Sequence, residues 1–113
     1  MYPIEKYYTS ILLINYGAIM KVSNLYNRNG NKVKNQFVVY DDNNNKFFQS
    51  YDSIIVKIEN FIDSDKESKI YLDSKYYDYS TTTSKYRNIF LEENTKEIEK
   101  KIKDGIYILT NLN

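Results

Sequence analysis

The spacing of hydrophobic positions changes several times along the chain, and each change marks an element. Ile4, Tyr7, Tyr8, Ile11 and Leu12 stand at i, i+3, i+4, i+7 and i+8, the stripe of an amphipathic helix. Pro3 is tolerated in a first turn and Gly17 offers a C-terminal stop, so the segment predicts a helix; its β-branched end keeps a strand from near Ile11 as the alternative. From Ala18 to Tyr26 the pattern alternates loosely and runs into Asn27-Arg-Asn-Gly-Asn31, a turn signal centred on Asn29-Gly30. A strand over Lys32–Asp41 follows, holding the apolar block Phe37-Val-Val-Tyr40. After the polar turn Asp41–Asn45 comes a third strand, Lys46–Tyr51. Asp52-Ser53 interrupts it, as a bulge or a tight corner, before the strand Ile54–Ile58. Such short connections exclude parallel crossovers, so these strands form an antiparallel meander.

Beyond Asn60 the charged stretch to Ser68 reads as a loop with room for one helical turn, and Lys69–Asp73 as a short strand with Ile70 and Leu72 on one face. Asp78–Leu91 is the most patterned part of the chain. An aromatic lead-in and a run of hydroxyls precede an amphipathic turn, the start of a helix that docks Tyr86, Ile89 and Phe90 on the sheet. Glu92–Thr95 breaks that helix, and Asn94 with Glu97 has the spacing of a capping box for another. In the second helix Ile98 and Ile102 share a face, Glu97–Lys101 and Glu99–Lys103 are favourable pairs, and Gly105 follows a lysine-rich last turn. Ile106–Leu109 is a final strand. The sum is one α+β domain over residues 1–113, a twisted antiparallel sheet of about five or six strands with two or three helices packed on one face.

Composition narrows the chemistry. The chain has no Cys and no His, which removes disulfides, thiolate nucleophiles, His-based zinc sites and Ser-His machinery together. Acid–base work would fall to Asp, Glu, Lys or Tyr, and no pair of these stands out from surface charge, so catalytic residues, metal and cofactors are all expected to be absent. Asp63-Ser-Asp-Lys-Glu67 starts like a calcium loop but lacks the Gly at its sixth position and the Glu at its twelfth. No apolar run approaches the ~20 residues of a membrane span, and the N-terminus lacks a secretory layout, which places the protein in a cytoplasm.

The net charge of +1 is unevenly spread. Residues 1–40 carry five Lys/Arg against one Glu (+4), residues 41–73 four against eight (−4), and residues 74–113 seven against six (+1). A protein held on DNA by phosphate contacts is more basic than this, and a bipolar surface fits a protein partner at least as well.

Three stretches together carry a resemblance: Asn29-Gly30 with Asn35-Gln-Phe37, Phe48-Gln-Ser-Tyr-Asp-Ser-Ile54, and Asp78-Tyr-Ser-x-Thr-Thr-x-Lys-Tyr-x-x-x-Phe-Leu91. Over about residues 24–91 the chain resembles a domain of unknown function that recurs in small proteins of phages and other mobile elements. The resemblance supplies no active residues. It implies an anti-defence role inside a bacterial host, with a CRISPR effector nuclease as the partner and non-catalytic occlusion as the means.

Two groups of residues are candidates for contact. Ser80, Thr81 and Thr82 open a helix whose first turn carries no acid, which suits an anion beside Lys85 and Arg87; equally, Ser80 or a neighbouring Thr caps the helix. Tyr76, Tyr77, Lys85 and Arg87 form a binding rim, fit for a protein partner or for stacked bases. Tyr79 and Tyr86 read as half-buried core residues. The expected functions are therefore a protein inhibitor, a nucleic-acid-binding module, or a binder of an anionic signalling nucleotide.

Overall fold

The structure, a computed structural model, describes residues 21–60 and 68–113. The helix expected near the N-terminus and most of the loop expected after Asn60 lie outside the described residues. Six strands, β1 (Lys21–Tyr26), β2 (Lys32–Tyr40), β3 (Lys46–Ser50), β4 (Ser53–Glu59), β5 (Lys69–Asp73) and β6 (Tyr107–Thr110), form one sheet in sequence order. Helices α1 (Thr81–Leu91) and α2 (Thr95–Lys103) connect β5 to β6. The class is α+β, as expected.

The first five strands pair antiparallel, while β6 pairs parallel to β5. Length decides the difference: a hairpin reverses the chain in a few residues, whereas the two-helix connection returns it to the end where β5 began. The first two hairpins close by the same device. Asn27 Oδ1 accepts from the backbone N–H of Asn29 and Asn31, and Asp41 Oδ1 from those of Asn43 and Asn45. These side chains hydrogen-bond their own turn more readily than they support a strand.

One apolar row crosses the sheet on its helix-covered side: Val38 faces Phe48, Phe48 faces Val56, Val56 faces Leu72, and Leu72 faces Leu109. The first four are buried, and Ile98 of α2 joins them in the core. Each such side chain contributes ~1.5–3 kcal/mol on burial. Phe90 of α1 stacks on Phe48 with ring centroids 5.6 Å apart, and Tyr86 and Ile89 are half-buried against the same core.

The helix ends follow the expected chemistry. Ser80 is the N-cap of α1, its Oγ accepting from Thr83 N–H at 3.1 Å. Glu92 ends α1 in the left-handed region (φ 56°). Asn94 and Glu97 form the capping box of α2, at 2.8 and 3.0 Å. Neither expected pair, Glu97–Lys101 or Glu99–Lys103, is formed, Glu97 being taken up by the cap. Lys101 instead meets Glu93, Lys100 meets Asp104 at 2.7 Å, and Glu99 accepts from the Tyr77 hydroxyl. No helix among the described residues is long and apolar enough to cross a membrane.

Candidate functional site

Two of the patterned stretches, separated in sequence, face each other at one end of the sheet. The first is the corner between β3 and β4. Ser50 pairs with Ser53, so Tyr51-Asp52 is a two-residue turn, and a bulge at Ile55 follows it. Of the two expected alternatives the interruption is thus the corner, and the bulge lies beyond it, inside β4. Tyr51 sits at φ 55°, the left-handed region, which costs a non-glycine residue ~1–2 kcal/mol. Two contacts hold it there: its N–H donates to the carbonyl of Asn35 at 2.7 Å, and its carbonyl accepts from Gln49 Nε2 at 2.7 Å. Asn35 is itself left-handed at φ 65°, a conformation asparagine tolerates.

The second wall is the approach to α1. Asp73 Oδ2 accepts from the N–H groups of Lys75 and Tyr76, and Tyr77 N–H donates to the Asp73 carbonyl at 3.0 Å. This coils the chain, so Tyr76 and Tyr79 fall on one side with their rings edge to face at 5.4 Å. Asp73 is buried and fixes the C-terminal tail too, its Oδ1 accepting from Leu112 N–H at 2.7 Å. Burial pushes its carboxyl pKa up, but the donors from Leu112, Tyr76, Asn113 and Lys75 outweigh that and hold it below the ordinary range.

Between the walls lies a cleft of about 320 Å³, lined by Ser50, Tyr51, Asp52, Ser53 and Ile55 on one side and Tyr76, Tyr79, Ser80 and Thr83 on the other. A hydroxyl chain forms part of it. Ser80 Oγ donates to Thr83 Oγ1 at 3.1 Å, and Thr83 Oγ1 lies 3.2 Å from Ser50 Oγ. Beside Ser50 across the β2–β3 ladder, the buried Gln36 side chain has no hydrogen-bond partner among the described residues. At the rim Tyr51 is 56% and Tyr79 70% exposed, while Tyr76 is half-buried.

The expected site residues divide. Tyr76 and Ser80 line the cleft. Tyr77 turns away, half-buried, its hydroxyl on Glu99 at 3.3 Å; burial, then the Glu99 carboxylate, raises its pKa. Lys85 is exposed and lines two further grooves, one with Asp78, Ser80 and Thr81 and one with Arg28. Arg87 does not belong to any rim. Its side chain is fully buried, donating to the Tyr77 carbonyl at 2.6 Å, to Asn88 Oδ1 at 2.9 and 3.1 Å and to Thr95 Oγ1 at 3.3 Å. With Asp78 at 3.5 Å it ties the approach, α1 and the start of α2 together.

Thr81 and Thr82 are exposed on the first turn of α1. The negative charge that this turn lacks comes from Asp78, whose carboxylate accepts from Ser84 Oγ at 2.7 Å and pairs with Arg87. An added anion at Ser80–Thr82 would meet that carboxylate, which weighs against the anion reading. Tyr79, expected in the core, is instead the most exposed large hydrophobic side chain among the described residues. Among the described residues no group of three or more carboxylates gathers as metal ligands.

Sequence reasoning missed Tyr51 and Asp52 as site residues. The signal was present in Phe48–Ile54, but the left-handed corner that lifts Tyr51 to the rim depends on Asn35, sixteen residues earlier.

Residues 20–105 match a family described as a family of unknown function, DUF8033. No curated protein and no solved structure matches the chain.

Proposed function

The chain belongs to the DUF8033 family of unknown function, and on that premise we propose that it is a non-catalytic binding protein that grips a partner protein through the Tyr51–Tyr79 cleft. The observation that carries this reading is the exposure of Tyr51 and Tyr79, 56% and 70%, at the mouth of a cleft whose walls are hydrogen-bonded to fixed elements. Tyrosines presented on rigid backbone bury apolar area, add a hydroxyl and lose little entropy, which is why they recur as interface anchors. The hydroxyl lining supplies donors and acceptors inside the rim. These hydroxyls bond one another rather than an activating base, and the chain has no His to act as one.

The walls of the cleft come from two of the stretches that resemble small phage and mobile-element proteins. That resemblance directs the choice of target to a bacterial defence complex, a CRISPR effector nuclease first, blocked in the host cytoplasm by occlusion. Co-purification with a panel of defined effector complexes, paired with target-cleavage assays, tests it. Stable binding with inhibition, lost in Tyr51→Ala/Tyr79→Ala, supports the reading; neither binding nor inhibition across the panel removes it.

One observation favours nucleic acid as a second reading. Exposed Arg28 and Lys85 line one groove with Asn27, Asn29 and Asn88, about 360 Å³ in volume. Oligonucleotide binding that weakens steeply with salt and disappears on charge reversal at Arg28 and Lys85 would favour it. No binding at low salt would end it.

A further inference from the structure

The cleft differs in charge from the grooves beside α1 and α2. Each of those carries a lysine or arginine: Lys85 in two, Lys46 in a third, and Lys96, Lys100 and Lys103 in a fourth. The cleft carries none, and the single charge on its lining is Asp52. That carboxylate is exposed, and among the described residues no hydrogen-bond donor or cation meets it. Its place is fixed all the same. Tyr51 before it is held through both its N–H and its carbonyl. Asn113 clamps the residue after the corner, its Oδ1 accepting from Ile54 N–H at 2.7 Å and its Nδ2 donating to the Ile54 carbonyl at 2.8 Å.

The tyrosines point the same way. Among the described residues Tyr40, Tyr71, Tyr76, Tyr77, Tyr86 and Tyr107 each have a lysine or arginine over the ring, 5.1–5.9 Å from its centroid. At that range the quadrupole of the ring attracts a cation. Tyr26, Tyr51 and Tyr79 have none among these residues, and the last two share the cleft with Asp52. Lys75, the cation over Tyr76, does not line the cleft.

We infer, building on the reading of the cleft as a grip on a partner protein, that it takes an arginine side chain of that partner. The guanidinium pairs with Asp52 and lies against the Tyr51 and Tyr79 rings. Arginine suits the cleft better than lysine on two counts. Its planar head stacks on aromatic rings and is less strongly hydrated than an ammonium. Its five donors also find acceptors here, in the carboxylate and the hydroxyl oxygens of Ser50, Ser53, Ser80 and Thr83. At about 320 Å³ the cleft is at the small end of ligand sites, ~300–1,000 Å³, the scale of one side chain rather than a folded segment.

Titration of the isotope-labelled chain with blocked arginine (N-acetyl-arginine methylamide), followed by amide chemical shifts, tests this without a partner. Blocked lysine and blocked citrulline are the controls. Arginine is expected to shift the amides of Tyr51, Asp52, Tyr79 and Ser80 saturably, with a Kd on the order of 1–10 mM. Lysine should bind several-fold more weakly, and citrulline, of similar shape without the charge, not measurably. Asp52→Asn, at an exposed turn position, should weaken arginine binding by ~5-fold or more. No shift at these amides overturns the inference. So does equal binding of lysine or citrulline, or an Asp52→Asn chain that binds arginine like wild type. If an effector complex binds through Tyr51 and Tyr79 and Asp52→Asn leaves that binding unchanged, the arginine assignment falls while the grip on a protein stands. Arginine uptake by a chain that binds no effector supports the assignment and removes only the named target.

Discussion

The Arg87 guanidinium donates to the main-chain carbonyl of Tyr77 at 2.6 Å from a fully buried position, so a charged side chain holds the approach to α1 against the helix. Removing the guanidinium takes the donor from the Tyr77 carbonyl and from Asn88 Oδ1, at a cost of ~1–3 kcal/mol. Arg87→Ala is expected to lower unfolding stability by that amount. Arg87→Lys should recover little of it, because an ammonium cannot fork between the Tyr77 carbonyl and Asn88. Urea denaturation followed by far-UV circular dichroism measures both.

Asp73 ties β5 to the approach and to the tail, and its pKa is held below the ordinary 3.8. Because the folded value lies below the unfolded one, the carboxylate's contribution is complete above about pH 4 and is lost as pH falls through the lowered value. Asp73→Asn should cost roughly 2–4 kcal/mol at pH 7, and the gap to the wild type should narrow as pH drops below 4. Thermal unfolding at stepped pH tests this; a gap that widens in acid would contradict it.

Much of the fold was legible because it rests on local signals. The Asn27 and Asp41 turns, the Ser80 cap and the Asn94–Glu97 box each involve residues two to four apart, within reach of pattern reasoning. What escaped depends on distant partners. Arg87 looked like surface because charge usually is, yet it shares a helix face with buried Thr83, and its burial follows from the carbonyl of Tyr77 and the hydroxyl of Thr95. Tyr79 looked like core because the coil that Asp73 imposes on the approach is not written in hydrophobic spacing.

Gln36 keeps a buried amide beside the cleft without a hydrogen-bond partner among the described residues. A similar-sized apolar side chain would remove that desolvation cost. Gln36→Met should therefore stabilise the fold by ~1–3 kcal/mol, read as a higher denaturation midpoint with unchanged slope. A loss of stability would mean that the amide is satisfied.

The left-handed backbone of Tyr51 sets stability against the binding role proposed for it. Tyr51→Asn relieves the conformational cost and should raise stability by ~0.5–1 kcal/mol while weakening partner binding. Denaturation and binding measured on the same variant separate the two effects.

The cleft between Tyr51 and Tyr79 is the surface proposed to grip a protein. The most direct measurement compares wild type with Tyr51→Ala/Tyr79→Ala for binding to, and inhibition of, purified defence effector complexes. Both tyrosine side chains are largely exposed, so the double variant should fold like wild type. The expected result is a folded variant whose binding falls ~100-fold or more and whose inhibition disappears with it. A variant that binds and inhibits as well as wild type would contradict the claim.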